Sequence, residues 1–501
     1  MGFSTSRPVR AHSTQGRLGL IGLLAASTLA LAGCVTGAAP ASPTAEPTPY
    51  ATTSPVGGLG DVARAAVERL GAGPCPPELA PALYVPSLED GYLCGTLEVP
   101  LDHADPAGAT LALDVLVHDS GLAGDESRGT VLYIGGGPGG VSRWMAALMP
   151  FSAPELAAQY DIVAMDLRGT GADALECAML QDEVGASDIA VPSPEAVAEC
   201  AASLGERALH QSTADAVADL ALLREALELD RWVLNGTSYG TFVAQQFALR
   251  HPDSVQALVL DGPVPTGGVD PLLMSSMASI PRVLAELCEA QDCGFDPVAA
   301  LESVLAAGYP ALPLLNAIIG DSAMGATFSG LLEGLHDAQE GDTALLDAVV
   351  LHVEALSRAE LAQFSSAAHI ATLCSDTPMP WGDARTPIDE RAGALAAAID
   401  ALDPDSTWPF PTSLAGEVGS VVSCLLWPAA AFDPPSTGPL PDAPTLVLSG
   451  GWDLSTPESN AAELAAANPG VRSVVIPAAG HAVQMGPDGL RAVTEFLLSL
   501  D

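Results

Sequence analysis

The pentapeptide Gly236-Thr237-Ser238-Tyr239-Gly240 constrains this chain more than any other stretch. It lies between a short apolar run, Trp232 to Leu234, that reads as a strand, and a segment from Thr241 to Leu249 that reads as a helix. A strand turns into a helix over so few residues only where the flanking positions carry no side chain, and such a turn thrusts the central side chain into the open. G-x-S-x-G alone is short and recurs by chance; its place between strand and helix gives it meaning.

The surrounding pattern supplies the rest of that fold. Cys94 to Pro100 and Thr110 to Val117 alternate and are separated by an Asp/Pro/Gly turn, so they read as an antiparallel hairpin. Short, continuously apolar runs follow at Thr130 to Ile134, Asp161 to Met165 and Ala257 to Leu260, the signature of a mostly parallel sheet buried on both faces. Thr213 to Leu227 has helical spacing behind a Ser/Thr cap. From 265 to 440 the strand signal gives way to Ala/Leu-rich helical segments broken by Pro and Gly, and strands return at Thr445 to Leu448 and Ser473 to Ile476 before a helix from about Pro487 to Leu500. The expected organisation is an α/β core over 61–264 and 441–501, with 265–440 inserted as a helical cap over the carboxyl ends of the strands, where open α/β sheets place their ligands.

A serine hydroxyl is a weak nucleophile near neutral pH and needs a base oriented by an acid. Asp453 stands on a loop just past the strand Thr445 to Leu448, and His481 just past Ser473 to Ile476. The order Ser238, Asp453, His481 is that of the α/β-hydrolase fold. Either residue alone reads equally as a loop acid or a surface histidine; in order, each past its strand, they form a triad. Two N–H donors are needed for a developing oxyanion: Tyr239 is one candidate, and Gly137, with Gly136 second, is the other, in the loop Gly135-Gly136-Gly137-Pro138-Gly139-Gly140. That loop also matches G-x-G-x-x-G, but Pro138 would interrupt a phosphate-binding helix and the loop does not open the first βαβ unit, so no dinucleotide cofactor is expected.

The acidic balance, 61 Asp and Glu against 18 basic residues, all Arg, excludes a phosphate-binding face and hence nucleic acid as a partner. Arg7, Arg10 and Arg17 precede the apolar run Leu18 to Leu31, which is short for a membrane span and has the layout of a signal peptide. It ends in Leu31-Ala32-Gly33-Cys34, which resembles a bacterial lipobox; the expectation is a leader over 1–33, lipidation of Cys34, a flexible tether over 34–60 and a membrane-anchored protein outside the cytoplasm, with a plain secretory signal as the alternative. The eight cysteines beyond Cys34 fit disulfides in an oxidising compartment. Connectivity stays open, and near-neighbour pairing gives Cys75–Cys94, Cys177–Cys200, Cys288–Cys293 and Cys374–Cys424. No zinc-like spacing occurs, so no metal is expected.

Six pieces of the chain resemble the secreted tripeptidyl aminopeptidases and related proline-iminopeptidase-like hydrolases of actinobacteria: Cys94 to Asp102, Gly136 to Gly140, Asp166-Leu167-Arg168-Gly169-Thr170-Gly171, Gly236 to Thr241, Cys374-Ser375-Asp376, and Asp453 to Pro457 with Gly480-His481. Gly135 stands where relatives often carry His. The resemblance implies an exopeptidase that removes short peptides from free N-termini, with Asp166 and Arg168 bracing a loop. Recognition of a substrate ammonium needs a carboxylate, because a buried unpaired cation is costly. Asp376, in the cap and beside Cys374, is the candidate, against the simpler reading of a solvated surface acid. An esterase or amidase, and a binding protein that has lost activity, remain as alternatives, since one scaffold hosts many functions.

Overall fold

The computed structural model describes residues 59–89, 91–323 and 330–500. Cys34 and the leader lie outside the described residues, and among those described no helix is long and apolar enough to cross a membrane.

Among the described residues nine strands form one sheet: β1 (Gly73–Pro74), β2 (Tyr92–Pro100), β3 (Thr110–His118), β4 (Thr130–Ile134), β5 (Asp161–Met165), β6 (Trp232–Thr237), β7 (Val255–Asp261), β8 (Thr445–Gly450) and β9 (Arg472–Ile476). Their order is β1-β2-β3-β5-β4-β6-β7-β8-β9. β4 to β9 run parallel, and the β2–β3 hairpin joins antiparallel at β5. β4, β5, β6 and β8 are buried at every position, as continuous apolar runs require. β9 at the edge is largely exposed.

Helices cover both faces. Asp61–Leu70, Thr213–Ala226, Tyr239–Arg250 and Glu458–Ala467 pack on one, Arg143–Ser152 and Pro487–Leu498 on the other. Thr213–Ala226 starts where the sequence places its cap: Ser212 Oγ accepts from the Asp215 N–H at 3.2 Å while the Asp215 carboxylate accepts from the Ser212 N–H at 3.2 Å. The chain leaves β4 toward β5 on one side and returns to β6 on the other. The crevice at such a reversal is where open α/β sheets bind ligands, and both the glycine-rich loop after β4 and Ser238 after β6 open onto it.

Between β7 and β8 the described elements are helical, from Met274–Gln291 to Gly419–Leu426. Their core includes Leu284, Leu301, Leu315, Ile318 and Ile370. It also includes Leu180, Val184, Val197 and Ala208, from the segment that follows β5. The cap is therefore built from two pieces of chain, which revises the single insertion expected at 265–440: the helices Ala178–Val184 and Pro194–Leu204 turn their apolar faces to the cap. Among the described residues four disulfides pair as near neighbours: Cys75 with Cys94 at the sheet edge, and Cys177 with Cys200, Cys288 with Cys293 and Cys374 with Cys424 in the cap.

Candidate active site

Ser238 sits between β6 and the helix Tyr239–Arg250 with φ 57° and ψ −126°. A non-glycine residue there stores about 1–3 kcal/mol of strain and persists only where its surroundings impose it. They do so here. The Ser238 N–H donates to the Asp261 carbonyl at 2.8 Å, and its own carbonyl accepts from the N–H and hydroxyl of Thr241 at 2.9 and 2.6 Å.

Asp453 follows β8 and is fully buried. Its Oδ1 accepts from the N–H groups of Ser455 (2.8 Å) and Thr456 (2.9 Å), and its Oδ2 from the Thr456 hydroxyl at 2.8 Å. That Oδ2 also meets His481 Nδ1 at 2.7 Å. A carboxylate so placed holds the imidazole proton on Nδ1 and leaves Nε2 as the accepting nitrogen. Burial alone would push the His481 imidazole down; the Asp453 charge and hydrogen bond, with the charges of Asp261 and Asp188, outweigh it, and the net shift is upward.

Three contacts bring the elbow and this pair together. A side chain at Gly262 would put its Cβ 2.7 Å from Thr456 Oγ1 and 3.0 Å from His481 Cε1, so only glycine lets the end of β7 lie against the imidazole. Asp261, whose carbonyl holds Ser238, accepts with its carboxylate from Val483 N–H (3.1 Å) and Gln484 N–H (2.9 Å). Gln484 Nε2 donates to Thr237 Oγ1 at 2.6 Å. Burial pushes the Asp261 carboxyl up to about 6, against the lowering effect of those N–H groups and of His481.

The glycine-rich loop closes on the serine from the other side. A Cβ at Gly136 would stand 2.7 Å from that of Ser238, so the loop approaches the serine only because Gly136 has none. Gly135 N–H is committed to Ser142 Oγ at 3.0 Å and Gly140 N–H to the Gly136 carbonyl at 3.3 Å. Gly137 lies between them, and Tyr239, first in its helix, has an N–H without a partner inside that helix. The cap grips the same loop: Ser365 N–H donates to the Gly139 carbonyl at 2.9 Å, and His369, 1% exposed, places Nδ1 2.8 Å from the Pro138 carbonyl.

Asp166 and Arg168 are braces, as expected. Asp166 accepts from the N–H groups of Ser142 and Arg143 (2.8 and 3.1 Å) and pairs with Arg143 Nε at 2.6 Å; Arg168 binds Asp219 and the carbonyls of Pro100, Leu101 and His210. Asp376 is only 5% exposed, and its Oδ2 accepts from Thr213 N–H and Tyr239 Oη, both at 2.8 Å. Burial pushes its carboxyl up to about 6. It thus lies beneath the residue after Ser238, with Oδ2 engaged by Thr213 and Tyr239. Asp188 has no sequence motif to mark it. Its side chain is 43% exposed, with Oδ1 3.1 Å from His369 Nε2, and it lines a cavity of about 570 Å³ together with Val141, Trp144, Ile189, Asn316 and Ser455.

Residues 129–285 match the family described as alpha/beta hydrolase fold. The chain has the α/β-hydrolase fold. It is 33% identical over 189 residues to a tripeptidyl aminopeptidase of Streptomyces coelicolor, a match covering 34% of this chain and 35% of that one. It is 31% identical over 192 residues to the serine protease Hip1 of Mycobacterium tuberculosis, covering 35% and 36%. A proline iminopeptidase homologue of Mycoplasma pneumoniae is 44% identical over 52 residues, 10% of this chain and 17% of that one. The match spans about a third of the length of the first two relatives. In this fold a hydroxyl on a strained turn, a carboxylate-oriented imidazole and a glycine-lined loop all lie at the carboxyl end of the sheet, an arrangement suited to acyl transfer.

Proposed function

We propose that this α/β-hydrolase is a serine peptidase releasing short peptides from free N-termini. Ser238 attacks the scissile carbonyl, His481 takes its proton on Nε2 and returns it to the leaving amine, and Asp453 holds the imidazole and stabilises its charged form. The N–H groups of Gly137 and Tyr239 receive the oxyanion, and water repeats the sequence on the acyl-enzyme. The observation that carries this reading is the Asp453–His481 pair, joined at 2.7 Å and packed against Gly262 at the elbow that bears Ser238.

The peptidase names of the relatives support peptide substrates. We assign the ammonium of the substrate to Asp188 rather than Asp376, because Asp188 is the half-exposed acid on the cavity wall whereas Asp376 is buried with Oδ2 bonded to Thr213 and Tyr239. The leader pattern ending at Cys34 supports a lipid anchor outside the cytoplasm. An esterase or amidase is the second reading, favoured by the apolar cavity wall of Val141, Trp144, Leu148 and Ile319. A panel of chromogenic tripeptides with free and acetylated N-termini, beside a small neutral ester, separates the two. Free-amine peptides are expected to be cleaved best, and Asp188→Asn to lower their kcat/KM by about 10- to 100-fold, one lost charge-assisted contact, while sparing the ester. Equal cleavage of blocked and free peptides would leave the esterase or amidase reading.

A further inference from the structure

Ser322 belongs to the cap, near the end of the helix Ala311–Ala323, and is fully buried. Its hydroxyl donates to the Trp452 carbonyl at 2.9 Å and accepts from the Leu454 N–H at 2.7 Å. Those two groups flank Asp453 on either side. Its own carbonyl accepts from the His481 N–H at 3.2 Å. One cap residue therefore holds the backbone of the acid loop and the backbone of the base loop together. The loops also touch directly, through Trp452 N–H on the Ala479 carbonyl at 2.9 Å and Gly451 N–H on the Ile476 carbonyl at 2.9 Å, so a cap contact is not needed merely to close them on each other. The same helix gives Asn316, Ile319 and Gly320 to the wall of the 570 Å³ cavity.

We infer that Ser322 is a positioning residue through which the seating of the cap sets the geometry of Asp453 and His481, so that the helix that lines this cavity also holds the acid and the base. This rests on the proposed triad. Ser322 touches neither reacting atoms nor the Asp453 carboxylate; it acts through the peptide groups on both sides of that residue. A displacement of about 1 Å in a catalytic group costs on the order of a hundredfold in rate, so a clamp on the backbone of two such groups acts on kcat more than on binding.

The test compares Ser322→Ala and Ser322→Thr with the parent, in the full chain, on a chromogenic peptide the parent cleaves, following kcat, KM, the pH profile of kcat/KM and thermal unfolding. Ser322→Ala is expected to lower kcat by about 10- to 100-fold with KM changed less than about threefold. It should also move the acidic limb of kcat/KM to lower pH, because a loosened Asp453 no longer raises His481 as fully, while the charges of Asp261 and Asp188 still face it. Ser322→Thr, which keeps the hydroxyl, is expected to recover most of kcat. If Ser322→Ala does not fold, Ser322→Cys, which is slightly larger than serine, fills the site and gives up most of the hydrogen bonding, takes its place. A kcat within about threefold of the parent, or a loss matched by the unfolded fraction with the acidic limb unmoved, overturns the clamp. Ser238→Ala measured alongside separates the two claims: turnover retained there overturns the triad itself, whereas a dead Ser238→Ala beside a fully active Ser322→Ala overturns only the role of Ser322.

Discussion

The sheet and the cap solve the same problem of burial in different ways. In the sheet, β4 to β8 lie side by side, and each element is fixed by ladders to strands far away in sequence. In the cap, helices close their own hydrogen bonds and pack through side chains, with single backbone bonds such as Gly419 N–H on the Ile189 carbonyl in place of ladders, and three of the disulfides stand there or in the segment after β5 that joins its core. The difference teaches where chemistry and specificity can reside. Ser238, Asp453 and His481 hang from strand ends that cannot shift without breaking ladders, whereas Asp188, Asn316 and Ile319 line the cavity from elements free to vary.

The sharpest way to break this comparison is to change one atom on the sheet side. Asp453→Asn keeps the volume but presents an N–H toward His481 Nδ1, strands the imidazole in the wrong tautomer, and should lower kcat about ten-thousandfold. Residual turnover should lose its acidic limb above the ordinary histidine value: the raised His481 must be neutral to act as base, so parent kcat/KM falls as pH drops through that raised pKa, and removing the Asp453 charge lowers it. A larger loss from Asp166→Asn would move the acid to Asp166.

Smaller effects are expected on the cap side. The Cys374–Cys424 bond closes a separation of 50 residues and, by chain entropy, contributes about 4 kcal/mol. Replacing both cysteines by Ser should lower Tm by on the order of 5 °C and raise hydrogen exchange in Ser366–Asp376 and Gly419–Leu426 while leaving β4 to β8 protected. An equal rise in both regions would show that sheet and cap unfold as one unit.

The same contrast decides what could be read from the sequence. Thr130–Ile134 and Asp161–Met165 agree residue for residue with the runs read as strands, because a strand buried on both faces leaves an unbroken apolar mark. The positions of Ser238 and Asp453 were legible because each follows such a strand, and that of His481 because it follows the apolar run Val474 to Ile476 of the exposed edge strand β9. The turn from Gly73 and the helix Asp61–Leu70 were not assigned, being short and only partly apolar. The cap's second piece was invisible, since the apolar stripe of Pro194–Leu204 says that it is buried and says nothing about against what. Asp376 was legible as a residue of consequence, but its partners Thr213 and Tyr239 lie 163 and 137 positions away and gave it a brace's place. Ser322, 130 residues from Trp452 and in no motif, left no signal at all.

The most direct measurement is covalent. A fluorophosphonate probe incubated with the full chain, followed by proteolysis and mass spectrometry, reports which hydroxyl is activated. The expected result is one adduct per chain on the peptide containing Ser238, absent from Ser238→Ala and strongly slowed in Asp453→Asn. An adduct on any other residue, or labelling that survives Ser238→Ala, would contradict the assignment of Ser238, Asp453 and His481 as a single catalytic unit.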